Sequence, residues 1–393
     1  MTERTDAALF PADPEAEFGQ RFGVLARQKI RLMERRGMIG ARDGAIEDAQ
    51  MQPASLDLRL GTKIWRVRSS FLPGEGARVE ARIAEFRSDE ISLEGEGAVL
   101  ERGCVYVAPL LETLKLPPSI SAAANPKSST GRLDVFTRLI VDGSEAFDRV
   151  PRGYEGPLYA EISPRSFPVR VRRGSRLNQI RFRLLNSMQI GLTDFALPDR
   201  KLREMHDAGP LVAGGEPTFR DGLVLRVCLD GAALGGAVGW RAQKHTGVVD
   251  MDRVGALDPA DYWEPLPARP DKRLVLDPGE FYILASRERL RIPADLAAEM
   301  APIDPAMGEF RVHYAGFFDP GFGEGPMGPA ARAVLEVRSH EVPFAIEDGQ
   351  VIGRLAFEAL AGEPETLYGA TSVSNYQGQG LKLSKHFRSP AAH

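Results

Sequence analysis

The sequence predicts a mainly β protein of two tandem barrel-like domains, each entered through one short helix. Three observations carry this: the chain repeats itself, it is rich in turn residues, and its apolar segments have the length and punctuation of strands.

The repeat comes first, because a duplication changes every later assignment. Leu25, Lys29, Ile30, Met33 and Gly37 recur as Leu197, Lys201, Leu202, Met205 and Gly209, a constant offset of 172 residues. Both runs have the apolar spacing of a short amphipathic helix ended by glycine. Gly103, Tyr106, Leu114, Leu116 and Pro117 match Gly279, Tyr282, Leu290, Ile292 and Pro293 at an offset of 176. Glu161, Pro168, Gly174, Ile180 and Phe182 match Glu336, Pro343, Gly349, Leu355 and Phe357 at an offset of 175. The predicted division is an N-terminal arm at residues 1–20, a first domain at 21–192 and a second at 193–393, joined near residues 190–196. Residues 1–14 and the last few read as loose arms.

The 40 glycines and 29 prolines favour many turns. Within the copies, LDLRL (residues 56–60), RVEARI (78–83), FPVRVRRG (167–174) and GRLAFEAL (353–360) are broken by turn residues every several positions. That is strand spacing, not the spacing of alternating strands and helices. Closure into barrels follows from many short strands.

Composition narrows the function classes. A net charge of -4 offers no global attraction to nucleic acid or an anionic membrane, so any polyanion needs a local basic cluster. Cys104 and Cys228 are the only cysteines, neither at metal-ligand spacing, which argues against structural zinc. The first eighteen residues lack a signal-like apolar run and no later stretch approaches a membrane span, so the sequence reads as cytoplasmic.

NPKSSTGRL (residues 125–133) gathers cations, hydroxyls and a glycine into a plausible phosphate cradle, although such loops are more often solvated turns. It lacks the order of a Walker loop. Glu161 in GPLYAEI and Glu336 in AVLEV are carboxylates inside apolar strands. One alone would be a solvent-facing residue; two at matched positions point to an inherited pocket. A carboxyl enclosed by apolar walls has a raised pKa and can take a proton from water near neutral pH. His313, between Val312 and Tyr314, reads as structural. No Ser/His/Asp set, GxSxG elbow or HExxH helix appears.

Taken together, these segments resemble the dCTP deaminase branch of the dUTPase-like superfamily over most of both halves. QPASLDLRLG (residues 52–61) is similar to that family's first motif, and KSSTGR (127–132) to its basic-Ser-Ser-x-x-Arg phosphate motif. FFDPGFG (317–323) resembles its Asp-Pro-Gly-aromatic-x-Gly turn, with Asp319 and Phe322 on the Asp and aromatic positions. AVLEV puts Glu336 where the family keeps its catalytic Glu, and LYGATSVSNYQGQG (367–380) resembles the nucleotide-covering tail, with Tyr368 and Gln379 on its Tyr and Gln.

The resemblance implies a distorted β-barrel in each half, dCTP as substrate with magnesium on its triphosphate, no zinc, feedback by dTTP, and a site shared between neighbouring domains; a homo-oligomer is compatible with it. In single-domain relatives the sharing is between subunits of a trimer. The halves depart from the pattern in complementary ways. In the first, the Asp-Pro-Gly turn has become VPRGYEG (residues 150–156) and no tail follows. In the second, the phosphate loop has become Asp304, Pro305, Ala306, Met307 and Gly308. A composite site is therefore expected, with the phosphate arm from the first domain and the pocket, base and lid from the second. Asn375 replaces the family's usual Lys in the lid.

In that site Glu336 serves as base and then acid, with Ser128 and backbone N–H groups positioning water. Lys127 and Arg132 address phosphates with Ser129 assisting, Asp319 the sugar or pocket, and Arg149 is a weaker phosphate candidate. A bifunctional enzyme that continues to dUMP, a plain dUTPase and a non-catalytic nucleotide-binding regulator are the alternative readings.

Overall fold

Strands form where the sequence alternates apolar residues between turns. The computed structural model describes Phe18 and residues 21–186, 195–301, 310–313, 316–324, 330–339, 341–370 and 376–388. The protein is mainly β. In the first half, helix α1 (Arg27–Arg35), with Ile30 and Met33 buried, precedes strands β1 (Leu56–Arg59), β2 (Val105–Lys115), β3 (Ile120–Pro126), β4 (Val135–Val141), β5 (Glu155–Pro164) and β6 (Arg176–Leu184). Helices α2 (Val79–Phe86) and α3 (Ser128–Gly131) lie between them. In the second half, α4 (Asp199–Ala208) precedes β7 (Leu223–Arg226), β8 (Phe281–Leu290), β9 (Leu296–Ala301), β10 (Phe310–His313), β11 (Ala331–Ser339) and β12 (Val351–Ala359).

The two halves pair their strands identically. β5 lies antiparallel between β2 and β4, as β11 does between β8 and β10. β6 lies between β1 and β3, as β12 does between β7 and β9. Glu161 and Glu336 therefore sit on equivalent central strands.

Two expectations change. RVEARI, expected as a strand, is the start of α2, because Val79, Ile83 and Phe86 recur at four and then three residues and present one apolar face; Val79 and Ile83 are buried. Phe18, within the stretch assigned to an arm, is 2% exposed and belongs to the first core. The expected arm at residues 1–14, most of the interdomain join and the last five residues lie outside the described residues. Among the described residues no helix is long and apolar enough to cross a membrane.

The halves are fused by a common core and a buried seam. Phe167 of the first half packs edge-on against Trp263 of the second, ring centroids 5.2 Å apart. Residues Val169–Arg170 pair in parallel with Val249–Asp250. On β6 and β12, Arg183 donates to Glu358 at 2.5 Å, and Asn125 at the end of β3 donates to Glu299 of β9 at 2.7 Å. Arg181 pairs with the same Glu299. These contacts fix how the Lys127–Arg132 segment faces β11.

Candidate active site

Between the halves lies a cavity of about 420 Å³, lined by residues of this one chain from both halves and from the C-terminal tail. The volume suits a nucleotide-sized ligand.

The first half supplies the arm. β3 delivers Lys127 to the cavity edge, and α3 turns Ser128, Ser129 and Arg132 into it. Asp134, at φ +56, then reverses the chain into β4. Lys127 pairs with Asp57 of β1. Arg132 is 3% exposed and enclosed by the tail: it donates to the Gln379 side chain and to the Lys382 carbonyl, both at 2.9 Å, and its guanidinium lies 3.9 Å from the Tyr376 ring centroid.

The second half supplies the opposite wall. Glu336 is centred on β11, in register with Ile283 and His313, and is 6% exposed. Burial pushes its carboxyl well above the usual carboxylate range, with Arg132 opposing and Asp134 adding to the shift. Asp319 and Phe322 come from the FFDPGFG turn. That turn needs its last glycine: at φ +73, a Cβ on Gly323 would lie 2.0 Å from the Leu290 carbonyl oxygen. Asp319 accepts from the Ala54 N–H across the seam at 2.9 Å; burial raises its carboxyl to about 7, against that hydrogen bond. Phe318, Phe322 and Tyr368 form an aromatic run with centroids 5.1 and 5.7 Å apart. The tail then crosses the cavity with Tyr376, Gln379 and Lys385.

Nine sequence-selected residues thus meet in one place: Lys127, Ser128, Ser129, Arg132, Asp319, Phe322, Glu336, Tyr368 and Gln379. Arg149 does not join them. Its neighbour Val150 points into the core at 2% exposure, so alternation along the two-residue strand leaves Arg149 exposed on the other face. Asn375 and the loop at residues 304–308 lie outside the described residues. The sequence reading missed Gln52, Asp57, Arg176, Gln179, Tyr376 and Lys385, all of which line the cavity. Gln52, Asp57 and Tyr376 stood inside recognised motifs. Lys385, which lies beyond the tail motif, carried no signal.

At the equivalent place in the first half the carboxylate is already taken by a cation. Arg138 of β4 pairs with Glu161, donating from Nε at 3.1 Å, and its guanidinium lies 3.7 Å from the Phe147 ring centroid. Glu161 is 3% exposed. Replacing it by Gln should leave turnover unchanged while lowering stability by about 1–3 kcal/mol, since Arg138 loses its charge partner. Denaturant unfolding alongside a turnover assay checks both halves of that expectation.

Comparison with known proteins agrees with this geometry. The sequence model of the 2'-deoxycytidine 5'-triphosphate deaminase N-terminal domain matches residues 21–186, and that of the C-terminal domain matches residues 198–387. The crystal structure of 2'-deoxycytidine 5'-triphosphate deaminase from Agrobacterium tumefaciens superposes with a TM-score of 0.81 at 50% identity, covering 87% of this chain and 100% of that one.

This chain belongs to the dCTP deaminase family.

Curated relatives in the family are shorter. A "dCTP deaminase, dUMP-forming" of Mycolicibacterium vanbaalenii is 31% identical over 191 residues, 47% of this chain and 90% of that protein. A "dCTP deaminase" of Halorubrum lacusprofundi is 30% identical over 144 residues, 36% of this chain and 66% of that protein. The family is one of hydrolytic nucleotide deaminases. Among the described residues, no group of three His, Cys, Asp or Glu is placed to hold a metal ion.

Proposed function

We propose that this chain removes the 4-amino group of dCTP by hydrolysis, giving dUTP and ammonia, in a cavity closed between its own two halves. The observation that carries the reading is the buried Glu336 facing the Lys127–Arg132 arm across that cavity.

Glu336 accepts the proton of a water that adds to C4 of the cytosine. The carboxyl then delivers that proton to the ring nitrogen and later assists departure of the amine. Ser128 and neighbouring backbone N–H groups steady the water and the developing charge. Burial raises the Glu336 carboxyl above its ordinary range, which suits a group that takes up and returns a proton, and Arg132 keeps its ionised form accessible. Lys127 and Ser129 address the triphosphate, with Arg132 serving as the bridge between phosphate arm, lid and Glu336. Lys385, on the cavity wall, supplies the lid cation that the Asn375 position lacks. Asp319, on the cavity wall, addresses the sugar or fixes the pocket. Magnesium enters bound to the triphosphate, and dTTP, which shares the sugar and triphosphate, is expected to compete. Each half reads as the same dUTPase-like distorted barrel; the identical pairing of six strands supports this.

Purified protein with dCTP and magnesium should accumulate dUTP and ammonia in equal amounts. Removing magnesium should depress the rate, and a zinc-selective chelator should leave it unchanged. Loss on zinc chelation, restored by zinc alone, would contradict the metal-free route at C4. The second reading, continuation to dUMP, is the activity for which the relatives of Beutenbergia cavernae and Mycolicibacterium vanbaalenii are named, and it is decided by the same separation of products.

A further inference from the structure

Outside the cavity that holds Glu336, a second cavity of about 350 Å³ opens between the halves. Its cations come from separate segments of both halves: Arg102 before β2, Arg165 after β5, Lys244 of the second half and Arg338 of β11. The lining holds one carboxylate, Glu280, which pairs with Lys244 at 2.6 Å. Arg338 donates to the Gly279 carbonyl and pairs with Asp134, and its Nε is buried without a hydrogen-bond partner. Arg102 and Arg165 are exposed and make no ion pair among the described residues. Lys244 and Arg338 are thus already paired, while Arg102 and Arg165 line the same cavity with their charge unopposed; guanidinium groups in that state are suited to a phosphate, which takes paired N–H donors.

We propose that this cavity is a second, non-catalytic anion site for a phosphorylated ligand, and that its occupancy is felt at Glu336. The second clause rests on the deamination reading. Asp134 makes the link. Ser166, on the cavity wall, donates to Asp134 Oδ2 at 2.6 Å, Arg338 pairs with the same oxygen, and the Arg165 N–H donates to the Asp134 carbonyl at 2.9 Å. Arg338 stands two residues after Glu336 on β11, on the same face of that strand, and so holds Asp134 on the Glu336 side, where the Asp134 charge opposes ionisation of Glu336. An anion that draws Arg338 towards itself leaves Asp134 less neutralised, and Glu336 becomes harder to ionise. The acid limb of kcat/KM then moves to higher pH.

The test uses the full chain carrying Glu336→Gln with one equivalent of dCTP, so that the first cavity is filled without turnover and no excess triphosphate competes for the second. Calorimetric titration with pyrophosphate or ATP should show one further anion per chain, weakened at least roughly tenfold by Arg102→Ser with Arg165→Ser. Stronger binding of ATP than pyrophosphate identifies a nucleotide ligand; equal binding identifies a free polyphosphate. No binding beside one equivalent of dCTP, or equal binding by the arginine variant, would overturn the site. In the chain with Glu336 intact, pyrophosphate should shift the acid limb only when both arginines are present. An unmoved limb with the site occupied would remove the coupling. If dCTP itself fails to bind, the proposed function fails, while titration of the unliganded protein in the two arginine states still decides the anion site.

Discussion

Glu336→Gln is expected to retain dCTP affinity and lose turnover by about 10²–10⁴-fold, the usual worth of a positioned general acid–base group. Gln preserves shape and hydrogen bonding in a site only 6% exposed, so the loss reports chemistry rather than packing. Calorimetry with dCTP and a kcat measurement separate the two. Retention of more than about a tenth of kcat would contradict the assignment. The pH profile gives an independent reading. The base works only when deprotonated, and burial holds Glu336 well above the ordinary carboxylate range. Activity should therefore fall as the pH drops through a value above that range, and the residual activity of the Gln variant should lack that limb.

Arg183→Met is expected to cause the largest loss of stability. It leaves Glu358, whose side chain is 9% exposed, with Arg181 as the remaining cation, 3.7 Å away. Breaking a buried pair by removing one partner costs about 3–5 kcal/mol. Although burial raises the Glu358 pKa, the hydrogen bond and charge of Arg183 outweigh it and hold the carboxyl below its ordinary value. The pair therefore stabilises the fold above the unfolded-state pKa and less as pH falls through the folded one. Without Arg183 the carboxyl rises instead and takes a proton on mild acidification. The gap between wild type and variant in denaturant midpoint should be wide at pH 7.5 and narrower towards pH 5. Adding Glu358→Leu should recover most of the loss, since a matched apolar pair is tolerated where a lone buried charge is not. A gap independent of pH, or no recovery in the double variant, would show that the seam is not held by this pair.

Much of the site was legible because its residues are local in sequence. The arm occupies six consecutive positions, the Asp-Pro-Gly turn seven, and Glu336 stands out as a carboxylate in an apolar strand. The complementary loss of motifs in the two copies pointed to a composite site. Other features depend on geometry that sequence does not carry. RVEARI alternates well enough for a strand; only its continuation to Phe86 shows the helical stripe. Arg149 sits in the expected loop but on the outward face of its strand. Lys385, beyond the tail motif, reaches the cavity because the tail folds back over the arm, where Ser384 donates to the Ser129 carbonyl at 2.7 Å. The seam pair of Arg183 and Glu358 joins equivalent positions of the two copies and is visible only once the halves face each other.

That closure within a single chain is the centre of the account, and mixed chains test it. Chains carrying Arg132→Ala and chains carrying Glu336→Gln are co-expressed, and dCTP turnover is compared with that of each variant alone. Arg132 and Glu336 line one cavity of one chain, so every site in the mixture keeps one lesion, and the predicted result is no activity beyond the sum of the two variants. Substantial recovered turnover would mean that an arm from one chain completes the pocket of another, and would contradict the intrachain site.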